Sequence, residues 1–296
     1  MSDALIECVP NFSEGRDPII VSRIARAISS TPGVQLLDVT SDPDHNRSVM
    51  TFAGAPEPVS AAALASIRTA AELINLSRHA GVHPRLGAAD VVPFVPIRGL
   101  TLDDCARLAH QTGRRIWDEL RIPVYFYEAA ALRPECLRLE NIRKLAHTTL
   151  PPDIGSFAGD SAHPSAGVTV IGARKFLVAW NINLRTHDLA IARAIAREIR
   201  ESSGGLPAVK AIGLPLTSRN QVQVSINLVD FEITPLHTVF ERVARHCLHR
   251  GIEIAGSELI GMIPQAALAA SQGHDLHWEN LRADHILESR LVTSEP

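Results

Sequence analysis

Ser77-Arg78-His79-Ala80-Gly81-Val82-His83-Pro84-Arg85-Leu86-Gly87-Ala88-Ala89-Asp90 runs directly into the apolar stretch Val91–Ile97. A polar segment this rich in His, Arg and Gly does not suit a core. It suits the mouth of a sheet, where an Ala-rich amphipathic run before it supplies a helix and the apolar run after it a strand. Outward from this stretch the N-terminal half reads in order. Leu5–Val9 is a strand, Pro10–Asp17 a polar loop and Pro18–Ser29 a helix with apolar residues at Ile19, Ile20, Ile24, Ala27 and Ile28. Val34–Val39 and Ser48–Phe52 are strands around the polar loop Thr40–Arg47, and Pro56 opens a helix to about Leu76. With Val91–Ile97 the pattern is β-α-β-β-α-β.

Thr101 then N-caps a helix, Leu102–Leu120, with Asp103 and Asp104 in its first turn. Val124–Tyr127 reads as a strand, Cys136–His147 as a weaker helix and Leu150–Ala166 as a long loop, a length more often functional than idle. The pattern then starts again: strand Phe176–Asn183, helix Asp188–Glu201, strands Val209–Leu214 and Gln221–Leu228, helix Pro235–Arg250, apolar run Ile252–Ile260. The fold class expected is therefore α/β (α+β). Two subdomains, residues 1–173 and 174–296, each follow a β-α-β-β-α-β, ferredoxin-like order.

Composition narrows function. The net charge of −3 with 29 scattered basic residues offers no nucleic-acid surface. No apolar run reaches the roughly 18 residues of a membrane span, and Asp3 in a start without an apolar stretch argues against a signal peptide. Dispersed Cys8, Cys105, Cys136 and Cys247 read as reduced thiols of a cytoplasmic protein.

His79 and His83 are spaced like a helical metal pair, but Gly81 intervenes and Pro84 pushes His83 out of the α region, so no metal is expected. Acid–base work suits an imidazole better, since it takes and returns a proton near neutral pH. Asp42-Pro43-Asp44-His45-Asn46-Arg47 has two readings. Its Asx residues cap a turn locally, or Asp42, Asp44 and Asn46 orient a histidine or amine while Arg47 holds a carboxylate. Arg174 and Lys175 likewise read as surface charges or as anion contacts. No nucleotide-binding glycine loop and no Gly-x-Ser-x-Gly elbow is present.

Ile6-Glu7-Cys8-Val9-Pro10-Asn11-Phe12-Ser13-Glu14-Gly15 resembles the opening signature of the glutamate formimidoyltransferases. Leu36-Leu37-Asp38-Val39 with Asn46-Arg47-Ser48-Val49, Ser77–Pro96, Gly172–Leu184, Val209–Gly213 and Leu236–Glu241 resemble its later blocks, in order, to about Ala267. The resemblance implies transfer of a formimidoyl group between N-formimidoyl-L-glutamate and N5 of tetrahydrofolate in histidine degradation, with tetrahydrofolate as co-substrate. It also implies two α/β subdomains with folate in a groove between them, and a homodimer. The family's catalytic histidine precedes Pro-Arg, which makes it His83 and not His79, leaving His79 a supporting or structural role. Its folate-binding segment corresponds to Ala158, Gly159, Asp160, Ser161, Ala162, His163, Pro164, Ser165, Ala166 and Gly167. Arg47, Arg85 and Arg174 are the expected carboxylate clamps. Between Pro152–Gly155 and His163 the chain is about three residues longer than the family pattern. It ends at Pro296, so the cyclodeaminase activity of the vertebrate form is expected to be absent. A formyl-group transferase on the same scaffold and a non-catalytic folate-binding module are the rival readings.

Overall fold

In the computed structural model, which describes residues 4–79, 85–146, 148–156 and 163–291, the chain divides into units 1–175 and 176–296. His83 and Ala158–Ala162 lie outside the described residues.

The first unit contains β1 (Leu5–Cys8), β2 (Asn11–Phe12), α1 (Pro18–Ser29), β3 (Val34–Asp42), β4 (Arg47–Gly54) and α2 (Pro56–Leu73). It continues with β5 (Ala89–Arg98), α3 (Leu102–Leu120), β6 (Val124–Glu128), α4 (Leu139–Leu145) and β7 (Thr169–Ala173). Helix α1 starts because Asp17 accepts the Ile19 and Ile20 N–H groups and Pro18 needs no donor there. Val21, Ile24 and Ile28 form its buried stripe; each such side chain contributes about 1.5–3 kcal/mol on full burial. Thr101 and Asp104 close a reciprocal capping box at the start of α3.

All seven strands join one sheet. From the β3 edge it runs through β4 to β1 and β2, which both lie between β4 and β5, and then to β7 and β6. One face packs Cys8, Phe52, Phe94 and Phe126 with α1, α2 and α3. The other face carries Val91, Tyr125, Tyr127 and Val170 beneath Ile142 and Ala146, beside α4. The Tyr125 hydroxyl donates to the Leu150 (2.6 Å) and Ala146 (3.1 Å) carbonyls, which ties that segment to the sheet.

Sequence periodicity does not announce β7. It is five residues, apolar on both faces and interrupted by Gly172, because it lies parallel between β5 and β6 with neither face toward water. The polar loop expected at Pro10–Asp17 likewise contributes the short β2.

The second unit contains β8 (Val178–Leu184), α5 (Leu189–Ile199), β9 (Val209–Leu216), β10 (Gln221–Leu228), α6 (Leu236–Leu248), β11 (Ile254–Ile260), α7 (Gln265–Ala269) and α8 (Leu287–Arg290). Its sheet has the order β11-β8-β10-β9, antiparallel throughout. Val178, Trp180, Ile182 and Leu184 alternate into a core completed by α5 and α6. All four cysteines of the chain are buried and unpaired. No helix among the described residues is long and apolar enough to cross a membrane.

Candidate active site

At one end of the first sheet, three backbone segments converge. Ser13 donates its N–H to the Ala88 carbonyl (2.9 Å) and its hydroxyl to the Gly87 carbonyl (2.8 Å). Ala88 N–H in turn donates to Ala166 O (2.8 Å), and Val168 N–H to Leu86 O (3.0 Å). The 86–88 segment is thus held between the N-terminal loop and the 163–168 loop. Glycine is required where they cross: a Cβ on Gly87 would overlap the Val168 carbonyl, and one on Gly167, whose φ is +69°, would strike Leu86 O. Gly87→Ala is therefore expected to disrupt the loop crossing and destabilise the fold by several kcal/mol. Urea unfolding monitored by circular dichroism checks this; an unchanged midpoint would sink the close-approach argument.

A buried charge cluster sits against this crossing. Asp90 is 0% exposed and is the second residue of β5. One of its oxygens accepts from both Arg47 Nη1 and Arg143 Nη2, each at 2.8 Å, and the other from Leu86 N–H at 2.6 Å. Burial by itself raises a carboxyl pKa. Here Arg47 and Arg143, with the Leu86 N–H, outweigh it and hold Asp90 well below the usual carboxylate range. Arg47 also donates from Nε to Asn11 Oδ1 (3.1 Å). Arg85 Nη1 lies 3.4 Å from His79 Nε2, and burial lowers the Arg85 pKa while Asp90 raises it. Two guanidinium groups thus grip one carboxylate, and a third, Arg85, feels its charge, an arrangement suited to anions.

The other expected site residues divide. Asp42 serves its own turn, accepting the His45 N–H (2.9 Å) and facing His45 Nδ1 (3.2 Å). Asn46, at φ +48°, accepts the Gly15 N–H (3.0 Å), and Asp44 sits half-buried in the same turn. His163 likewise organises backbone: its Nδ1 accepts from Ala166 N–H (3.1 Å) and Ser165 N–H (3.4 Å), which leaves the ring proton on Nε2. Burial lowers its pKa. Pro164 lies in that turn, which Ser165 O ties to Leu76 N–H (3.0 Å). Because the unfolded chain takes up the proton first, this contribution is present above the ordinary histidine value of about 6.5 and declines as pH falls below it. Hydrogen-exchange protection of the Ala166 amide is expected to drop between about pH 7.5 and 5.5; constant protection would exclude the Nδ1 contacts.

Arg174 is elsewhere. The parallel register pairs Val91 with Val170 and Phe94 with Ala173, so Arg174 follows the far end of β7. That is roughly 16 Å along the strand from the level of Asp90. There its N–H donates to Phe94 O (3.1 Å) and its side chain bonds the buried Tyr127 hydroxyl.

Ser13, Asp90 and Arg143 were not among the expected site residues. An acid near the start of an apolar strand is a usable signal for Asp90. Arg143, on a weakly patterned helix 53 residues away in sequence, carries none.

Residues 5–174 match the formiminotransferase domain, N-terminal subdomain, and residues 179–292 match the formiminotransferase domain. The chain belongs to the formiminotransferase family. It is 41% identical over 299 residues to the glutamate formimidoyltransferase of Thermoplasma acidophilum, covering 97% of each chain. It is 43% identical over 295 residues to that of Streptococcus pyogenes serotype M1, covering 97% of this chain and 99% of the relative. Against the formimidoyltransferase-cyclodeaminase of Sus scrofa it is 44% identical over 291 residues. There it spans about half the relative's length, 53%. The formiminotransferase match includes the N-terminal loop, the Arg47–Asp90–Arg143 cluster and the 163–168 segment, all inside the first matched region.

Proposed function

We propose that this chain transfers a formimidoyl group between N-formimidoyl-L-glutamate and N5 of tetrahydrofolate. The observation that carries the reading is the full-length similarity to two glutamate formimidoyltransferases. The cationic cluster around Asp90 supports it, because the donor and the folate tail both present carboxylates.

In this reading N5 attacks the amidine carbon, forming a C–N bond and a tetrahedral carbon between two amines. The bond to the glutamate nitrogen then breaks. One proton leaves the attacking nitrogen and one reaches the departing nitrogen; His83 is assigned both transfers, base first and acid second. Arg85, two residues on, and Arg47 are assigned carboxylate contacts, with Asp90, which also binds Arg143, holding Arg47 in place. His79 supports Arg85. Residues 158–167 are assigned to folate. Arg174, bonded to Tyr127, is assigned a carboxylate contact outside this cluster. We assign the chain a homodimeric state and a cytoplasmic setting on the same family grounds.

The test mixes the protein with tetrahydrofolate and formimidoylglutamate and follows the absorbance of the cyclised folate after acid. Product from formimidoylglutamate, with much slower reaction of formylglutamate, is the expected result. Reaction with formylglutamate alone would overturn it. The mechanism uses no metal, so dialysis against a chelator is expected to leave the rate unchanged.

A further inference from the structure

The cluster at the start of β5 holds more positive charge than its own carboxylate neutralises. Asp90 brings one negative charge, and Arg47 and Arg143 both pair with it through the same oxygen, each at 2.8 Å. Among the described residues neither guanidinium meets a second carboxylate. Arg85 adds a third positive charge. Burial does most to lower the Arg47 pKa and Asp90 opposes it, while the charges of Arg143 and Arg85 lower it further. Like charges drawn to one oxygen repel, and partly buried charge left unpaired is costly. One arginine on Asp90 would serve the fold. Three arginines against one aspartate leave two positive charges for a ligand to answer.

The two arginines on Asp90 are not equivalent. Arg47 is held on two sides, its Nη1 on Asp90 and its Nε on Asn11 Oδ1 (3.1 Å), and its side chain is 10% exposed. Arg143 uses one N–H, from Nη2 to Asp90, and its side chain is 21% exposed. Its Nε has no hydrogen-bond partner among the described residues. A guanidinium carries five N–H donors in a planar fork that matches a carboxylate. Arg143 is therefore the one with donors to offer. Because both arginines touch one oxygen, their donor nitrogens are separated by at most twice 2.8 Å. The carboxyl carbons of an extended glutamate lie about 5 Å apart. Charge and spacing both fit a dicarboxylate.

We propose that Arg143 reads the second carboxylate of the dicarboxylate donor, the first being held by Arg47 and Arg85, and so sets donor specificity. This rests on the transferase reading above. The test is a cycle of residue against substrate. Native protein and Arg143→Gln are assayed with N-formimidoyl-L-glutamate and with two donors that each lack one carboxylate, N-formimidoyl-4-aminobutyrate and N-formimidoyl-L-norvaline. The substitution is expected to lower kcat/KM for the glutamate donor about 10- to 100-fold, and to change it within about twofold for the donor lacking the carboxylate that Arg143 reads. Equal loss with all three donors, or no loss with the glutamate donor, overturns the assignment. Arg143→Lys keeps the charge without the fork and should show the same pattern with a smaller loss. Calorimetry on the native protein should find glutarate bound about tenfold or more tightly than butyrate; equal affinities overturn the assignment whether or not the variants fold. The two readings fail separately. A glutarate preference that disappears in Arg143→Gln, without formimidoyl transfer by the native protein, removes the transferase reading alone. Transfer with uniform loss across donors removes the role of Arg143 alone.

Discussion

His83→Ala is expected to lower kcat by about 10²–10⁴, the usual contribution of one positioned acid–base group. The circular dichroism spectrum and the tetrahydrofolate Kd should stay where they are. The reasoning is a proton count. Attack by N5 leaves a proton on a nitrogen that must lose it, and the glutamate nitrogen cannot depart as an anion. One imidazole near neutrality does both without leaving the site. Adding imidazole to the variant should restore part of the rate. His79→Ala is the internal control: His79 sits 3.4 Å from Arg85, so its loss should raise KM for a carboxylate substrate more than it lowers kcat. Near-normal turnover in His83→Ala, or a larger kcat loss in His79→Ala, would end the assignment.

Asp90→Asn should give the largest loss of stability in the first unit. The aspartate is fully buried and pairs with both Arg47 and Arg143, whose side chains are 10% and 21% exposed. Removing the charge leaves two guanidinium groups facing each other with no carboxylate between them. Breaking a buried pair in this way costs about 3–5 kcal/mol, a fall in Tm on the order of 10 °C for a chain of this size. The pH dependence follows from the lowered pKa of Asp90 in the folded state. Its contribution is complete above the unfolded carboxyl value of about 3.9, and it is lost as pH falls through the range below, where the unfolded chain takes up the proton first. Calorimetry from pH 7 to pH 3 should therefore show a steeper acid limb in the native protein than in Asp90→Asn. Parallel limbs, or an unchanged Tm at pH 7, would show that the cluster is not what holds this end of the sheet.

Much of the architecture was legible because helices and strands bury one face at a fixed period. Pro18–Ser29, Leu102–Leu120 and Gln221–Leu228 form the elements that their apolar spacing calls for. β7 was not legible. A strand buried on both faces has no alternation, and its partners β5 and β6 lie far from it in sequence. The site divides in the same way. The glycines and the basic character around Arg85 can be read locally. Which arginine meets which carboxylate cannot, since charge type says nothing about the partner: Arg47 reaches Asp90 from 43 residues away, while Arg174, equally basic, is held by Tyr127 at the other end of a strand.

By itself the chain's order of residues determined the strands and helices that carry a one-sided period, the family and the residue types on offer, since periodicity, caps and turn residues act within a few positions. Only the tertiary structure decided that Asp90 is flanked by two guanidinium groups and that Gly87 and Gly167 are pressed against backbone. Each of these is a contact between segments far apart in sequence, set by strand register and burial, and no local propensity encodes it.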